Sequence, residues 1–154
     1  MNKQIKIKVK LTNKEEIVHT LDIQKQQNFY SVSCIKNKEK IGFINFEIKN
    51  NKTWIYKIET NKNYLHQGVG TALIDMMEYI SMLNRIERVE GKYYPENEYA
   101  KTFYEKYGYY IPNQKRSWDE YDETWTMFKD LDYNKIKQNM ATNLVKDDAQ
   151  EASL

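Results

Sequence analysis

A predicted strand and a predicted helix of this chain meet in the stretch TNKNYLHQGVGT, residues 60–71. Gly68 and Gly70 have no Cβ atom, so the backbone around them can approach a bulky group closely. The first N–H groups of a helix have no partner within the helix and point outward from its N-terminus. The stretch therefore predicts a site for a phosphate-type anion, although a glycine pair before a helix is also common in ordinary tight turns.

Two widespread phosphate-binding motifs do not fit this stretch. The P-loop requires a Gly-Lys-Ser/Thr sequence, which is absent, and the dinucleotide fingerprint requires a third glycine where Leu73 stands. Neither a P-loop nucleotide site nor a dinucleotide site is therefore expected.

A second cluster follows one strand and one helix later, in the stretch NEYAKTFYEKYGY, residues 97–109. Its pattern Asn-x-x-Ala-x-x-Phe-Tyr-Glu-Lys-x-Gly-aromatic resembles that of the GNAT superfamily of N-acetyltransferases. The superfamily's Arg/Gln-x-x-Gly-x-Gly/Ala signature is approximated by residues 65–70, with Leu65 in place of the arginine or glutamine. The resemblance covers the order of elements from residue 29 to residue 131.

The resemblance implies that the chain uses acetyl-coenzyme A as a co-substrate. Backbone groups of the strand before the glycine turn would pair with the pantetheine arm, the turn itself would bind the pyrophosphate, and an asparagine near the second helix would bind the arm. These cofactor-binding residues are Ile58, Glu59, Thr60, His66, Gln67, Gly68, Val69, Gly70, Thr71 and Asn97. Leu65 removes one polar side chain near the phosphates, and His66 either compensates as a donor or is an exposed loop histidine without a role.

Direct transfer is the chemistry that the resemblance implies: an amine attacks the acetyl carbonyl and the coenzyme A thiolate leaves. Tyr104 matches the tyrosine that lies beside the sulfur and protonates it, although it could instead pack between helix and sheet. A lysine-like amine has a pKa of about 10.4 and must lose a proton before it attacks. Glu47 and Glu59 are possible bases, and neither is selected by the sequence.

The remaining periodicity predicts strands at residues 5–11, 29–35, 41–48, 54–60, 86–93, 109–111 and 124–131. Short polar links make the strands at 29–60 antiparallel neighbours. Helices are predicted from the Gly68 and Gly70 pair to near Asn84 and from a start within residues 95–98 to Gly108, and a short helix at 12–28. The fold class expected is α/β (α+β), a GNAT fold: a mixed, mostly antiparallel sheet of six to seven strands, with a splayed strand pair and flanking helices. Residues 1–131 would form the acyltransferase domain and residues 132–154 a tail that is partly helical or disordered.

The composition limits the classes of partner that can be expected for this chain. The 154 residues suit one domain, and the formal charge of +2 gives no reason to expect nucleic acid or an anionic membrane. A single cysteine, Cys34, cannot form an intramolecular disulfide, and the N-terminus lacks the apolar core of a signal peptide, so a cytoplasmic protein is expected. No spaced Cys/His set suggests a metal. A homodimer is possible, and the sequence does not decide the oligomeric state.

The function predicted is N-acetylation of a primary amine on a small molecule, a peptide or a protein lysine. The acceptor pocket is expected along residues 12–28 and 113–123. Two alternatives remain at this point. The chain could bind acyl-coenzyme A without turnover, or it could dock a macromolecular target through its tail.

Overall fold

The computed structural model describes residues 2–93, 98–111 and 125–145. Within these ranges eight strands form one sheet in the order β7-β6-β5-β4-β3-β2-β1-β8, accompanied by three α-helices. The strands are β1 (Asn2–Lys10), β2 (Glu16–Gln26), β3 (Phe29–Lys36), β4 (Glu39–Lys49), β5 (Lys52–Thr60), β6 (Arg88–Tyr93), β7 (Trp125–Asp130) and β8 (Leu144–Val145). The helices are α1 (Val69–Leu83), α2 (Glu98–Lys106) and α3 (Tyr133–Asn143).

The first two strands form a long antiparallel hairpin, and the short helix predicted at residues 12–28 is wrong. Ile17, His19, Leu21 and Ile23 alternate along β2, and the last three are buried. These side chains lie on the same face of the sheet as Ile5, Ile7 and Val9 of β1, since Ile7 pairs with His19 and Ile5 with Leu21. A polar residue within the apolar set hid this period of two from the sequence.

The predicted meander is present as β3, β4 and β5, which pair antiparallel in that order. β5 then pairs parallel with β6, and α1 makes the crossover connection that a parallel pair requires. Ala72, Leu73, Met76, Met77 and Ile80 of α1 are fully buried against the sheet. This packing fixes the N-terminus of α1 beside the end of β5.

The C-terminal elements complete the sheet. The predicted strand at residues 109–111 is reduced to a single bridge between Tyr110 and Phe128 of β7. Helix α3 packs on α1 through its buried Ile136 and Met140, and Leu144 of β8 pairs with Ile7 of β1. None of the helices in the part of the chain that the structure describes is long and apolar enough to cross a bilayer.

Candidate active site

The β5 and β6 strands separate after a short common ladder. Residues 53–55 pair with residues 89–91, whereas β5 continues to Thr60 with no strand partner on that side among the described residues. A cavity of about 370 Å³ occupies the gap between the two strands and α2. It is lined by Tyr56, Lys57, Ile58, Glu59, Thr60, Leu65, Lys92, Tyr99, Ala100, Phe103 and Tyr104. Unpaired strand backbone beside a cavity can pair with an extended ligand as an added strand would.

A bulge in β5 sets the direction of Tyr56 at the mouth of this cavity. The β4–β5 register shifts between Asn45 and Phe46, which leaves Tyr56 as the extra residue on β5. Its ring stacks on Phe29 with centroids 5.2 Å apart, and its hydroxyl donates to Glu47 Oε1 at 2.7 Å. That hydrogen bond raises the pKa of Tyr56 and joins the Glu47 carboxylate to the cavity wall.

A second cavity, of about 160 Å³, adjoins the first at the N-terminus of α1. Thr60, Leu65, Tyr99 and Phe103 line both cavities. The second also takes in Lys10 of β1 and Lys106 of α2, and no Asp or Glu is among the described residues around it. Two cationic side chains and the free N–H groups of a helix N-terminus make this cavity electropositive.

Gly68 is required by packing and by backbone conformation, and Gly70 is required by packing. Gly68 begins α1 in the left-handed region (φ 76°), and a Cβ there would lie 2.7 Å from Val9 Cγ1. A Cβ on Gly70 would lie 2.8 Å from Cε2 of Phe103. The glycines thus let β1 and α2 close tightly on the start of α1, which forms the walls of the second cavity.

Comparison with known proteins assigns the chain to a family. Residues 7–109 match the acetyltransferase (GNAT) family. The chain belongs to this family. No curated protein matches the sequence. The predicted fold class is confirmed: the chain has the mixed, mostly antiparallel sheet of the GNAT fold, with more strands than the six to seven expected.

Solved structures of GNAT proteins share the fold at low identity. The PaiA N-acetyltransferase of Thermoplasma acidophilum, in complex with coenzyme A, is 20% identical, with a TM-score of 0.60 over 68% of this chain and 62% of that one. The ribosomal-protein-S18-alanine N-acetyltransferase of Escherichia coli is 14% identical, with a TM-score of 0.58 over 69% and 71%. A GNAT acetyltransferase of Staphylococcus aureus Mu50 is 18% identical, with a TM-score of 0.58 over 68% and 69%. The chain spans about three fifths of the Thermoplasma protein.

The GNAT structure brings most of the predicted site residues to these two cavities. Ile58, Glu59, Thr60 and Tyr104 line the cavity between the strands. Thr60, His66, Gly68, Val69, Gly70 and Thr71 line the cavity at α1. The carbonyl oxygen of Gln67 contacts the buried His19 side chain. Asn97 lies outside the described residues. Of the segments expected to hold the acceptor, Thr12 lines the α1 cavity, β2 lies in the sheet, and residues 113–123 are outside the described part of the chain.

Tyr104 is the best-placed donor in the cavity between the strands. It is buried at 6% exposure, its ring packs edge-on against Phe103 and Tyr109, and burial raises its pKa to about 12. A buried phenol that lines a cavity and stays protonated can donate to a bound group.

A partly exposed lysine, Lys129, pairs with the buried Glu78 behind the site. Lys129 Nζ lies 3.0 Å from Oε1 and 3.1 Å from Oε2 of Glu78, and the Tyr109 hydroxyl donates to Oε2 at 2.9 Å. One turn earlier, burial raises the pKa of Asp75 to about 6, and the hydroxyl groups of Thr71 and Tyr107 share a hydrogen bond. These contacts tie α1 to β7 and to the end of α2.

Sequence reasoning missed His19, Lys10 and Lys106 as parts of this region. Lys10 belongs to an alternation of lysines along β1 that by itself indicates only a solvent-exposed face, and His19 lies in the segment for which a helix is predicted in place of a strand. The alternation of Ile17, Leu21 and Ile23 around His19 is the signal that could have placed His19 on the inner face. No described group of three or more His, Cys, Asp or Glu side chains could hold a metal ion.

Proposed function

We propose that this GNAT protein transfers the acetyl group of acetyl-coenzyme A to a primary amine of a small molecule, a peptide or a protein lysine. The observation that carries the proposal is the pair of adjoining cavities, one beside unpaired β5 backbone and one at the positive N-terminus of α1. A long donor with an amide-bearing arm and a diphosphate matches such a pair. The reaction would take place in the cytoplasm.

The α1 cavity suits the diphosphate of the donor. Backbone N–H groups in residues 66–71 would bind its oxygens, as free amides at a helix N-terminus bind anions in general. Lys10 and Lys106 add positive charge on either side. Ile58, Glu59 and Thr60 would hold the pantetheine arm through backbone hydrogen bonds, since none of the strands in the described part of the chain pairs with β5 there.

Direct attack fits the chain better than an acyl-enzyme intermediate on cysteine. The one cysteine, Cys34, is fully buried, lines neither cavity, and has a pKa raised to about 11 by burial. Such a thiol carries almost no thiolate at neutral pH. The acetyl group would therefore pass straight to the amine while Tyr104 donates toward the leaving sulfur.

Glu47 is the carboxylate that this geometry favours for receiving the amine's proton. It is linked to the cavity through the Tyr56 hydroxyl at 2.7 Å, whereas Glu59 has a highly exposed side chain that pairs with Lys57 at 3.8 Å. An ammonium group of pKa about 10.4 must release a proton before it attacks. We place that release at the mouth of the cavity, toward Glu47.

The test is release of free thiol from acetyl-coenzyme A with a panel of primary amines, for the parent and for Tyr104→Phe. We expect Tyr104→Phe to lower kcat by about 10²-fold, within the usual range for a lost hydrogen-bond donor to the developing negative charge, while the Kd for coenzyme A stays unchanged. Tyr110→Phe is the matched control, because Tyr110 is exposed and lies outside both cavities. Equal rates for Tyr104→Phe and the parent would remove Tyr104 from the mechanism.

Leu65 supports a second candidate, a protein that binds acyl-coenzyme A without turnover. It lines both cavities at the position where the family signature has arginine or glutamine, and its side chain offers the donor no hydrogen bond. Calorimetry would separate the two candidates. Tight binding of coenzyme A together with no transfer to any amine of a broad panel would favour the second one.

A further inference from the structure

We propose that His19 is a positioning residue, which holds the peptide between Gln67 and Gly68 so that its N–H points toward the diphosphate of the donor. The inference rests on the proposed use of acetyl-coenzyme A and assigns a role to a residue of β2 outside both GNAT motifs. His19 is buried at 3% exposure, and its Nε2 lies 2.6 Å from the carbonyl oxygen of Gln67. Its Nδ1 lies 3.5 Å from Sγ of Cys34 on β3.

These two contacts define the tautomer of the imidazole. A carbonyl oxygen can only accept, so Nε2 carries the proton and donates it to Gln67. Nδ1 is then the acceptor, and the Cys34 thiol donates to it. Burial lowers the pKa of His19, against the raising effect of its bond to Gln67, and burial raises the pKa of Cys34 to about 11. Both groups are neutral at pH 7, as this arrangement requires.

Because the peptide between Gln67 and Gly68 is trans, the buried contact of its carbonyl oxygen also fixes the direction of its N–H. The C=O and the N–H of one planar trans peptide point in opposite directions. Because the Gln67 carbonyl is directed at His19, the N–H of Gly68 is directed away from His19. Gly68 begins α1 and lines the electropositive cavity, so its N–H belongs to the donor set for the diphosphate.

The turn needs such a restraint because a glycine follows this peptide, so the local backbone does not fix the peptide's orientation. His66 and Gly68 both have positive φ values, 64° and 76°. Glycine adopts left-handed and right-handed conformations at similar cost, so the peptide before Gly68 can rotate with little local penalty. A rotated peptide would present a carbonyl oxygen to the diphosphate in place of an N–H. The hydrogen bond from His19 selects the orientation that binds an anion.

The experiment compares two acetyl donors that differ in the diphosphate. Acetyl-coenzyme A contains it, and S-acetyl-N-acetylcysteamine has only the end of the arm. We expect His19→Leu to raise the Kd for coenzyme A at least fivefold and to lower kcat/KM for acetyl-coenzyme A by a similar factor. The kcat/KM for S-acetyl-N-acetylcysteamine should stay within twofold of the parent, because this donor never contacts the turn. His19→Gln keeps an amide donor and should recover part of the loss.

A merely structural role for His19 would lower kcat/KM for both donors alike, and equal affinity of His19→Leu and the parent for coenzyme A would also overturn the inference. If the parent itself binds no coenzyme A, the proposed function and this inference both fail.

Cys34 provides a second measurement that does not depend on folding of the His19 variants. Cys34→Ser keeps a donor for Nδ1. Imidazole ¹⁵N shifts should report the Nε2–H tautomer in the parent and in Cys34→Ser. An Nδ1–H tautomer in the parent would refute the inference, because Nε2 could then not donate to Gln67.

Discussion

Replacing Gly68 with alanine tests whether the start of α1 is as tightly enclosed as the structure indicates. The added Cβ would lie 2.7 Å from Cγ1 of Val9 and 3.2 Å from Cδ2 of Leu11, at a φ of +76°. Val9 is 3% exposed and pairs with Ile17 of β2 near the end of β1, so it cannot move aside easily. The substitution therefore combines backbone strain with overpacking.

The two contributions can be estimated separately. An L-residue in the left-handed region costs about 1–2 kcal/mol, and an extra carbon in a packed core costs about 1–3 kcal/mol. Gly68→Ala should lower the free energy of unfolding by about 2–5 kcal/mol. Gly108→Ala is the matched control, since Gly108 has a φ of +86° but its nearest neighbour would be Lys129 Cε at 3.6 Å. It should cost about 1–2 kcal/mol.

Urea unfolding of four proteins measures the contact: the parent, Gly68→Ala, Val9→Ala and the double variant. Val9→Ala removes the Cγ1 atom that the new Cβ would meet. The double variant should therefore be more stable than the sum of the single changes predicts, by about 1–3 kcal/mol. Equal costs for Gly68→Ala and Gly108→Ala, together with additive double-variant energies, would refute the close packing of β1 on the glycine turn.

Two further predictions concern the polar contacts behind α1. In urea unfolding, Lys129→Met should destabilise the protein by about 3–5 kcal/mol near pH 7, because it leaves the buried Glu78 carboxylate without its cation. The double variant Lys129→Met/Glu78→Gln should recover most of that loss, because it has no buried carboxylate at position 78. Burial raises the pKa of Asp75 from 3.8 to about 6, so the folded state binds its proton more tightly and stability falls as pH rises through that interval. Asp75→Asn should therefore be more stable than the parent above pH 6 and lose that advantage toward pH 4, and a constant difference across pH 4–7.5 would contradict the assignment.

The sequence predicted the elements whose signal is local. The meander of β3, β4 and β5 follows from alternating apolar residues between short polar turns, and α1 follows from one apolar stripe after two glycines. β2 was missed because His19 interrupts its apolar alternation. A buried polar side chain whose partner lies 48 residues away in sequence, at Gln67, looks like a solvent-facing residue until the partner is known.

The candidate site likewise contains residues that a local motif identifies and residues that only the folded structure brings in. The glycine turn and Tyr104 belong to continuous motifs, so the sequence alone identified them as site residues. Lys10 reaches the α1 cavity only because β1 packs across the glycine turn, and Lys106 only because α2 closes over it. Such residues are assembled by tertiary packing, which no local pattern encodes.

The raised pKa of Tyr104 determines what kind of donor it can be. At about 12 it exceeds the reference value of about 8.5 for a thiol by roughly 3.5 pH units, so complete transfer of the phenolic proton to a thiolate would be uphill by about 5 kcal/mol. A hydrogen bond from the phenol to the developing negative charge has no such penalty. The proton that finally neutralises the thiol then comes from the nitrogen that has attacked. Tyr104→Phe should accordingly lower kcat by the same factor at every pH from 7 to 10, and a loss that disappears at the alkaline end would instead identify Tyr104 as an acid that titrates in that range.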